Sequence, residues 1–552
     1  MAAAGSGSDR PAADAFRRCR SGRISRGGDA RRIRRGAGRA DRRKSPLGVG
    51  RAARRVVHEL VGSCGARGTP GRQSTAGIQR RRDRFSSARP SGSHRNGRAQ
   101  PRAVRDRVML RSVGSLLSGV FLLATSPSPS PAPPALAPAQ YRAIWVDAFH
   151  DGIKSPEQVE RLVSDARRAN LNALLVQVRK TGDAYFNHAD EPRAKDIEGP
   201  RDFDPLAYVI RLAHASVPRI EVHAWVNTFF SGQSSRVYVQ HGNVWGNRTV
   251  DGAASGYVDP GVPEVQIYMH RVFMNIARNY QVDGIHLDFV RYPGATWGYS
   301  QSALDSYAAE TGATATPDPS DPQWQAWRRA RVTGFVRDLH HDLQEERPSI
   351  KLSGALICFG AGPLSAADWS RTSAFTSVFQ DWRDWIVRGY LDFAVPMNYD
   401  SDWSAREKGW FGRWLAFEKD SGFANRVVIG VGAFLNYPED TLAQIRRVLS
   451  PSTGGHRVLG VAIYSYASSS VYGTDDFYTA PDLAAGLPRQ PYAGGLTTEA
   501  DLASRARTFN ESFITELSQP DHYEDVQMGS VATQPVFLQP APVPYVPLAE
   551  AP

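Results

Sequence analysis

The chain has 552 residues, which exceeds one ordinary domain, and 41% hydrophobic with 22% charged residues is the composition of a globular protein. Its net charge of +12 comes from residues 1–107, which hold 29 Lys and Arg against 7 Asp and Glu, so the remaining residues are net acidic. This distribution argues against nucleic acid as a partner of the body of the protein.

The first 139 residues are predicted to lie outside any folded domain. Residues 1–107 are rich in Arg, Gly, Ala and Ser, which predicts a disordered basic leader; it is either an arm or upstream sequence translated ahead of the true start. We favour the second reading, because residues 108–139 contain Met109, a basic start, an apolar run at 113–124 and a Pro/Ser/Ala-rich linker. That run has the length of a signal-peptide core and is too short to span a bilayer. We therefore expect export to the periplasm or the outside, with no stable membrane span after cleavage.

Residues 140–480 alternate between strand-like and helix-like segments, which predicts parallel βα units. Ser155 and Asp204 each precede a Pro, as at the start of a helix. Only Cys358 lies in this region, so no disulfide can form within it. The predicted strands are residues 142–149, 172–179, 219–227, 282–292, 350–359, 391–400, 427–436 and 458–467.

Eight such units predict an α/β fold, a (β/α)8 TIM barrel. The region is longer than the usual ~250 residues, so enlarged βα loops are expected at 199–203, 230–260 and 294–322. Residues 481–552 are predicted to form a C-terminal extension with one helix at 498–517 and an extended, partly disordered tail.

Strand parity predicts which side chains face the inside of the barrel. In the sixth strand, either Asn398 with Asp400 or Met397 with Tyr399 can face inward. The choice is left open, because the strand can bulge there. Aromatic faces and polar groups that converge at strand ends are typical of a sugar-binding cleft. The other residues predicted to face inward are Trp145, Asp147, Gln177, Arg179, His223, Trp225, Asn227, His286, Asp288, Tyr464 and Tyr466.

Asp288 is the strongest candidate for chemistry. It lies at the end of a strand in which the alternate residues are bulky and apolar. Burying a carboxylate there is costly unless it has a function or a bonding partner. The alternative is a structural Asp that only pairs with an Arg. No metal-binding motif accompanies it, and a lone strand histidine such as His223 or His286 is more often hydrogen-bonded than a ligand, so neither a metal nor another cofactor is predicted.

Several segments, in this order along residues 141–470, resemble the glycosyl-hydrolase-like family 10 barrels, which include a divisome-localised peptidoglycan glycosyl hydrolase. They are residues 142–146 (RAIWV), 175–184 (LVQVRKTGDA), 203–206 (FDPL), 223–227 (HAWVN), 259–265 (DPGVPEV), the Asp288 strand, 380–383 (QDWR) and 395–399 (VPMNY). The resemblance implies an exported bacterial enzyme acting on a β-linked amino-sugar polymer, such as denuded peptidoglycan glycan. The chain departs from the family at Phe289, where a second acid is frequent, and at Asp400, where Trp is frequent. It also departs from a chitinase-like pattern at Val290, which stands in place of the acid.

The leading hypothesis is glycoside hydrolysis with Asp288 as the general acid/base. The second carboxylate is Asp400 or Asp147; alternatively the acetamido group of the substrate attacks, oriented by Asp400 and Tyr399. The rivals are a carbohydrate-binding barrel without turnover and a barrel hydrolase with a non-sugar substrate. The residues predicted to bind the glycan are Gln177, Arg179, His223, Trp225, Asn227, His286, Arg291, Asn398, Tyr399, Tyr464 and Tyr466.

Overall fold

The computed structural model describes residues 137–474, 486–492 and 498–546. The predicted leader, the signal peptide and nearly all of the linker lie outside the described residues. The strands are β1 Tyr141–Val146, β2 Ala173–Arg179, β3 Glu221–Asn227, β4 Gly246–Arg248, β5 Ala254–Val258, β6 Gly284–Asp288, β7 Lys351–Ile357, β8 Phe393–Asn398, β9 Val428–Gly432, β10 Gly460–Tyr464, β11 Asp521–Asp525 and β12 Gly529–Thr533.

Eight of these strands close a parallel barrel in the order β1-β2-β3-β6-β7-β8-β9-β10, with β10 paired to β1. Each of the eight predicted strands is present, and the predicted (β/α)8 barrel is confirmed. The strands form here because alternate residues can pack under helices while the others fill the barrel interior. Both Ile285 and Leu287 of β6 are fully buried on the helix-facing side, as parity requires.

The helices cover the outside of the barrel, and two of the predicted helix starts are confirmed. The side chain of Ser155 accepts a hydrogen bond from the backbone of Gln158, and that of Asp204 accepts one from Ala207. The helices are α1 Pro156–Arg168, α2 Pro205–His214, α3 Arg236–Trp245, α4 Pro263–Asn279, α5 Gln301–Thr311, α6 Pro322–Glu346, α7 Ser373–Thr376, α8 Trp382–Val387, α9 Ala405–Asp420, α10 Pro438–Leu449 and α11 Glu499–Glu516.

Two of the predicted loop insertions contain secondary structure of their own. The loop after β3 holds α3 and the antiparallel hairpin β4–β5, and the loop after β6 holds α5. Arg328 of α6 fixes the second loop, because its buried guanidinium donates to the backbone carbonyls of Ala295, Trp297 and Pro319. These loops therefore form ordered walls beyond the strand ends.

The C-terminal extension is packed against the barrel. Helix α11 confirms the helix predicted at 498–517, and the hairpin β11–β12 follows it. The extended tail then crosses the amino-terminal ends of the first strands, where the backbone of Gln140 donates to Pro542 at 3.1 Å and the side chain of Asn172 donates to Ala541 at 3.0 Å. The expected extended tail is thus present at 534–546, where it is part of the barrel's lower surface.

Phe537 anchors this tail, so replacing it with Leu tests how much the tail stabilises the barrel. The ring is fully buried, and the guanidinium carbon of Arg142 lies 4.6 Å from the ring centroid. Phe537→Leu removes the cation–π contact and changes the packed shape, so we expect a loss of about 1–2 kcal/mol in the free energy of unfolding. Urea titration of both proteins measures this, and an unchanged midpoint would contradict the anchoring role.

A buried polar cluster closes the same, lower end of the barrel. Glu221 accepts from Nζ of Lys351 at 2.6 Å and from the hydroxyl of Tyr141 at 3.1 Å, and Nε2 of His223 lies 3.0 Å from the same carboxylate. The charge and hydrogen bonds of His223 and Lys351 overcome burial and hold the pKa of Glu221 at about 2. Because these groups pair with one another, this end of the barrel is a structural plug.

Across the described ranges, no helix has the length and apolar character needed to cross a membrane. In the same residues, no group of three His, Cys, Asp or Glu side chains is arranged to hold a metal ion.

Candidate active site at the upper end of the barrel

The carboxyl ends of β3 and β6 bring Trp225, Asn227, His286 and Asp288 together. Parallel pairing sets Trp225 opposite His286 and Asn227 opposite Asp288. In a barrel of this type the carboxyl ends of the strands form the mouth where substrates bind. Asp288, as the last residue of β6, therefore stands at the mouth.

Asp288 is buried and hydrogen-bonded on both carboxylate oxygens. Its Oδ2 accepts from Nε1 of Trp225 at 3.0 Å, and its Oδ1 accepts from the backbone N–H of Phe289 at 2.6 Å. Burial raises the pKa of Asp288 to about 6, although the Phe289 N–H, the charge of Arg291 and Trp225 each oppose the rise. A carboxyl group with this pKa can hold a proton near neutral pH and release it to a substrate.

Four aromatic side chains, Trp145, Trp225, Tyr399 and Tyr464, pack against one another, and Trp225 bonds Asp288; the four are called the aromatic floor below. The ring centroids of Trp225 and Tyr464 are 6.3 Å apart, and those of Tyr399 and Tyr464 are 5.4 Å apart. The two tyrosines are partly exposed, and neither hydroxyl forms a hydrogen bond with the residues that the structure describes. Rings with free hydroxyls suit both stacking on a sugar and bonding to its hydroxyls.

His286 supports the floor from below. Trp145 Nε1 can only donate, and it lies 3.0 Å from Nε2 of His286, so the imidazole proton is assigned to Nδ1, which faces the Ser353 hydroxyl at 2.9 Å. Burial, with the nearby His223, lowers the pKa of His286 well below its usual value. A neutral His286 therefore fixes the orientation of the Trp145 indole.

Asp147, at the end of β1, is the second acid of the mouth. Its Oδ1 accepts from the backbone N–H groups of Phe149 and His150 and lies 2.7 Å from Nδ1 of His150; its Oδ2 accepts from the Ser465 hydroxyl at 3.1 Å. Burial raises the pKa of Asp147, but the charge and hydrogen bonds of His150, with Ser465, outweigh it and hold the pKa well below the usual range. Burial raises the pKa of Tyr464, and the charges of both Asp147 and Asp288 add to the rise, so this ring lies within the field of both acids.

The environments of the two acids thus push their pKa values in opposite directions. One carboxyl group stays ionised while the other can be protonated at the same pH, which is the arrangement that acid–base catalysis requires. Sequence parity identified both residues. It missed His150, three residues after Asp147, which a local Asp-x-x-His spacing could have indicated.

The predicted amide residues form a closed network beneath the mouth. Gln177 donates from Nε2 to Oδ1 of Asn227 at 3.1 Å and accepts from the backbone of Ala148, while Asn227 donates to the Lys180 carbonyl at 2.7 Å. Both side chains are buried. They tie the ends of β1, β2 and β3 together.

Arg179 is also inside this network. Its guanidinium is fully buried, pairs with Glu191 at 2.6 Å and donates to the carbonyl of Phe230 at 3.1 Å. It fixes the loop after β3 to β2, with its donors directed at the protein.

Three further predicted binding residues are not brought to the mouth. His223 lies two positions deeper, in the lower polar cluster. Tyr466 donates its hydroxyl to Asp165 of α1 at 2.7 Å. Asn398 faces outward and donates to Glu418 of α9 at 2.8 Å.

The parity left open in β8 is resolved by these contacts. Tyr399 faces the barrel interior, where its ring centroid is 6.2 Å from that of Trp145. Asp400 shares the outward side with Asn398. Burial raises the pKa values of Glu418 and Cys358, and the charge of Asp400 adds to both rises. Burial, and then the charge of Glu407, raise the pKa of Asp400 to about 8. Of the candidate partners for Asp288, the structure brings Asp147 to the mouth.

Phe289 and Val290, where related patterns carry acids, are buried apolar residues. Phe289 has a φ of 49°, a left-handed conformation that is costly for a bulky residue and is found where function constrains the backbone. This conformation follows Asp288 directly and directs the Phe289 N–H to its carboxylate.

Several known proteins are similar to parts of this chain. Residues 140–413 match the family Glycosyl hydrolase-like 10. The Glycosyl hydrolase YngK of Bacillus subtilis (strain 168) is 25% identical over 336 residues, which cover 54% of this chain and 60% of that protein. The Glycosyl hydrolase DigH of Escherichia coli (strain K12) is 24% identical over 302 residues, covering 47% and 63%.

Among solved structures, the glycoside hydrolase domain of PgaB (BpsB) from Bordetella bronchiseptica has 17% identity and a TM-score of 0.44, covering 63% of this chain and 98% of that one. The chain matches less than two thirds of the length of YngK and DigH. The family match agrees with the resemblance in the sequence segments, and the barrel of this chain belongs to the glycosyl hydrolase-like 10 family over residues 140–413.

Proposed function

We propose that this protein is an exported glycoside hydrolase that acts on a β-linked amino-sugar polymer, with denuded peptidoglycan glycan as the substrate. The observation that carries the proposal is Asp288, a buried carboxyl group at the barrel mouth whose pKa is raised to about 6. The family match, and the similarity to the glycosyl hydrolases YngK and DigH, support the reaction class.

In this mechanism Asp288 protonates the glycosidic oxygen. The bond from that oxygen to the anomeric carbon breaks, water supplies the hydroxyl of the new reducing end, and a proton from that water restores Asp288. Ionised Asp147 stabilises the positive charge that develops on the sugar ring, and its field acts across Tyr464 in a region of low dielectric. The partly exposed rings of Tyr399 and Tyr464 stack against the sugar.

The proposal is tested by incubating the purified protein with denuded peptidoglycan and measuring released reducing ends. We expect release by the wild type and its loss in Asp288→Asn. Binding of the glycan without release by either protein would overturn the hydrolase proposal in favour of a carbohydrate-binding barrel. For export, N-terminal sequencing of the mature protein is expected to begin near residues 125–140, and a mature start at Met1 would contradict it.

Trp225→Phe is expected to shift the pH dependence of activity. The indole N–H of Trp225 lowers the pKa of Asp288, so its removal raises that pKa further above 6. The decline of kcat/KM at rising pH should move upward by about 1–2 pH units, the equivalent of one hydrogen bond to a charged group. Trp145→Phe is the matched control, because that indole donates to His286 instead, and an equal shift in both variants would contradict the assignment.

A further inference from the structure

Arg291 lies three residues beyond Asp288 and is only 6% exposed. Four arginines are buried in the part of the chain that the structure describes, and three of them donate to carbonyls or carboxylates, as Arg142, Arg179 and Arg328 do. The side chain of Arg291 forms no hydrogen bond or ion pair with any described residue, and its Nε is buried without a partner. A buried guanidinium N–H without an acceptor is costly, and neither terminal nitrogen of Arg291 has an acceptor among the described residues, which indicates that the acceptor comes from outside the protein.

The surroundings of Arg291 hold it beside the mouth. Its guanidinium carbon lies 5.0 Å from the ring centroid of Phe289, whose ring packs against Phe230 at 5.2 Å. The charge of Arg291 lowers the pKa of Asp288, although the two residues form no ion pair. The cation therefore stands close to the proposed acid, on an aromatic surface, with its donors unused.

The chemistry of this site favours one class of anion. A planar guanidinium matches a planar carboxylate through two parallel hydrogen bonds, and the low dielectric strengthens that pair. One carboxylate also neutralises the single charge of Arg291. A phosphate carries up to two charges and would leave net negative charge beside the ionisable Asp288, which is unfavourable in a buried site.

We propose that Arg291 binds a carboxylate carried by a sugar next to the bond that is cleaved, so that the enzyme selects acidic glycans. This inference rests on the proposed glycosidase function and adds a specificity-determining residue to it. It also couples binding to chemistry. A bound carboxylate neutralises Arg291 and so removes an influence that lowers the pKa of Asp288, which keeps Asp288 protonated to higher pH.

The experiment compares two polymers and two variants. The polymers are denuded peptidoglycan glycan and the same glycan after its carboxylates have been reduced to alcohols. For the wild type we expect KM to rise about 10- to 100-fold on the reduced polymer, as for loss of a charged hydrogen-bonded pair. Arg291→Gln should show the raised KM on both polymers, whereas Arg201→Gln, the same change at an exposed position, should behave like the wild type.

A second readout separates specificity from misfolding. With the wild type, the alkaline decline of kcat should lie at higher pH for the carboxylate polymer than for the reduced one, and Arg291→Gln should abolish this difference. If Arg291→Gln still discriminates between the polymers as the wild type does, the inference is overturned while the hydrolase proposal stands.

Failure of hydrolysis itself is distinguished by measuring binding with Asp288→Asn proteins. Retention of the carboxylate polymer over the reduced one, lost when Arg291→Gln is added, would support the carboxylate site even without turnover. If Asp288→Asn retains both polymers equally, with and without Arg291→Gln, the proposed carboxylate site is overturned.

Discussion

Asp288→Asn is expected to lower kcat/KM on the denuded glycan by about 10²- to 10⁴-fold, the usual contribution of a general acid/base. Asn has nearly the same shape and cannot donate a proton to the leaving oxygen. Substrate affinity should change little, because the aromatic floor and Arg291 remain in place. Reducing-end release and glycan retention, measured on the same preparation, separate the two effects.

The pH dependence of kcat/KM provides a second test of the role of Asp288. Asp288 must be protonated to act as the acid, and its pKa is raised to about 6, so kcat/KM should be high below pH 6 and fall up to tenfold per unit above it. The residual activity of Asp288→Asn should lack this decline. If the variant keeps wild-type turnover and the same profile, Asp288 is not the acid.

The second large effect is on stability. Asp400→Asn is expected to raise the free energy of unfolding by about 2–4 kcal/mol at pH 8, since the pKa of Asp400 is raised to about 8 by burial and by Glu407. Its Oδ2 is buried without a hydrogen-bond partner, so Asn loses little there. Urea titrations of wild type and variant between pH 4 and pH 9 measure the difference.

The direction follows from proton linkage. At pH 4 the folded side chain is protonated and the unfolded one, with an ordinary pKa near 3.9, is about half protonated, so the stabilities of the two proteins should differ by less than about 1 kcal/mol. As pH rises toward 8 the unfolded chain loses its proton while the folded chain retains it, and the wild type loses stability; above 8 the loss is complete. Glu418→Gln is the matched variant, because the pKa of Glu418 is also raised to about 8 and Gln can still accept from Asn398.

Activity in the same variant tests the two carboxylate assignments against each other. If Asp400 is the catalytic partner of Asp288, Asp400→Asn loses turnover by orders of magnitude. If Asp147 is the partner, turnover is retained while stability rises. If Asp400→Asn is less stable than the wild type at pH 8 and equally stable at pH 4, the linkage argument is contradicted.

Much of the fold could be predicted because each barrel strand has a clear apolar parity. The pattern around Ile285 and Leu287 placed His286 and Asp288 inside, and the caps at Ser155 and Asp204 marked helix starts. Helix α9 escaped prediction although Phe411 and Trp414 are buried, since Gly409 and Gly412 weaken the helical signal. The hairpins β4–β5 and β11–β12 were not predicted either, because their strands are short and lack a clear alternation of apolar and polar residues.

The site was less predictable, because parity gives the side of a strand and not the partner of a side chain. Gln177, Asn227 and Arg179 do face inward, yet other parts of the protein occupy their polar groups. In β8 the interior side was decided by Trp145 and Tyr464, which lie far away in sequence. Partners contributed by distant segments cannot be read from one strand.

The tail at 534–546 has a consequence for biosynthesis. Strand β1, the first barrel strand to be made, pairs with β10 and lies beside segments that include Gln539 and Pro542. Its partner on that side, β10, and the tail at Gln539 both lie more than three hundred residues later in the chain, and contacts of such separation form slowly. The barrel cannot close until β10 has been synthesised, and until then the edge of β1 that does not pair with β2 is open to chaperones and to other nascent chains.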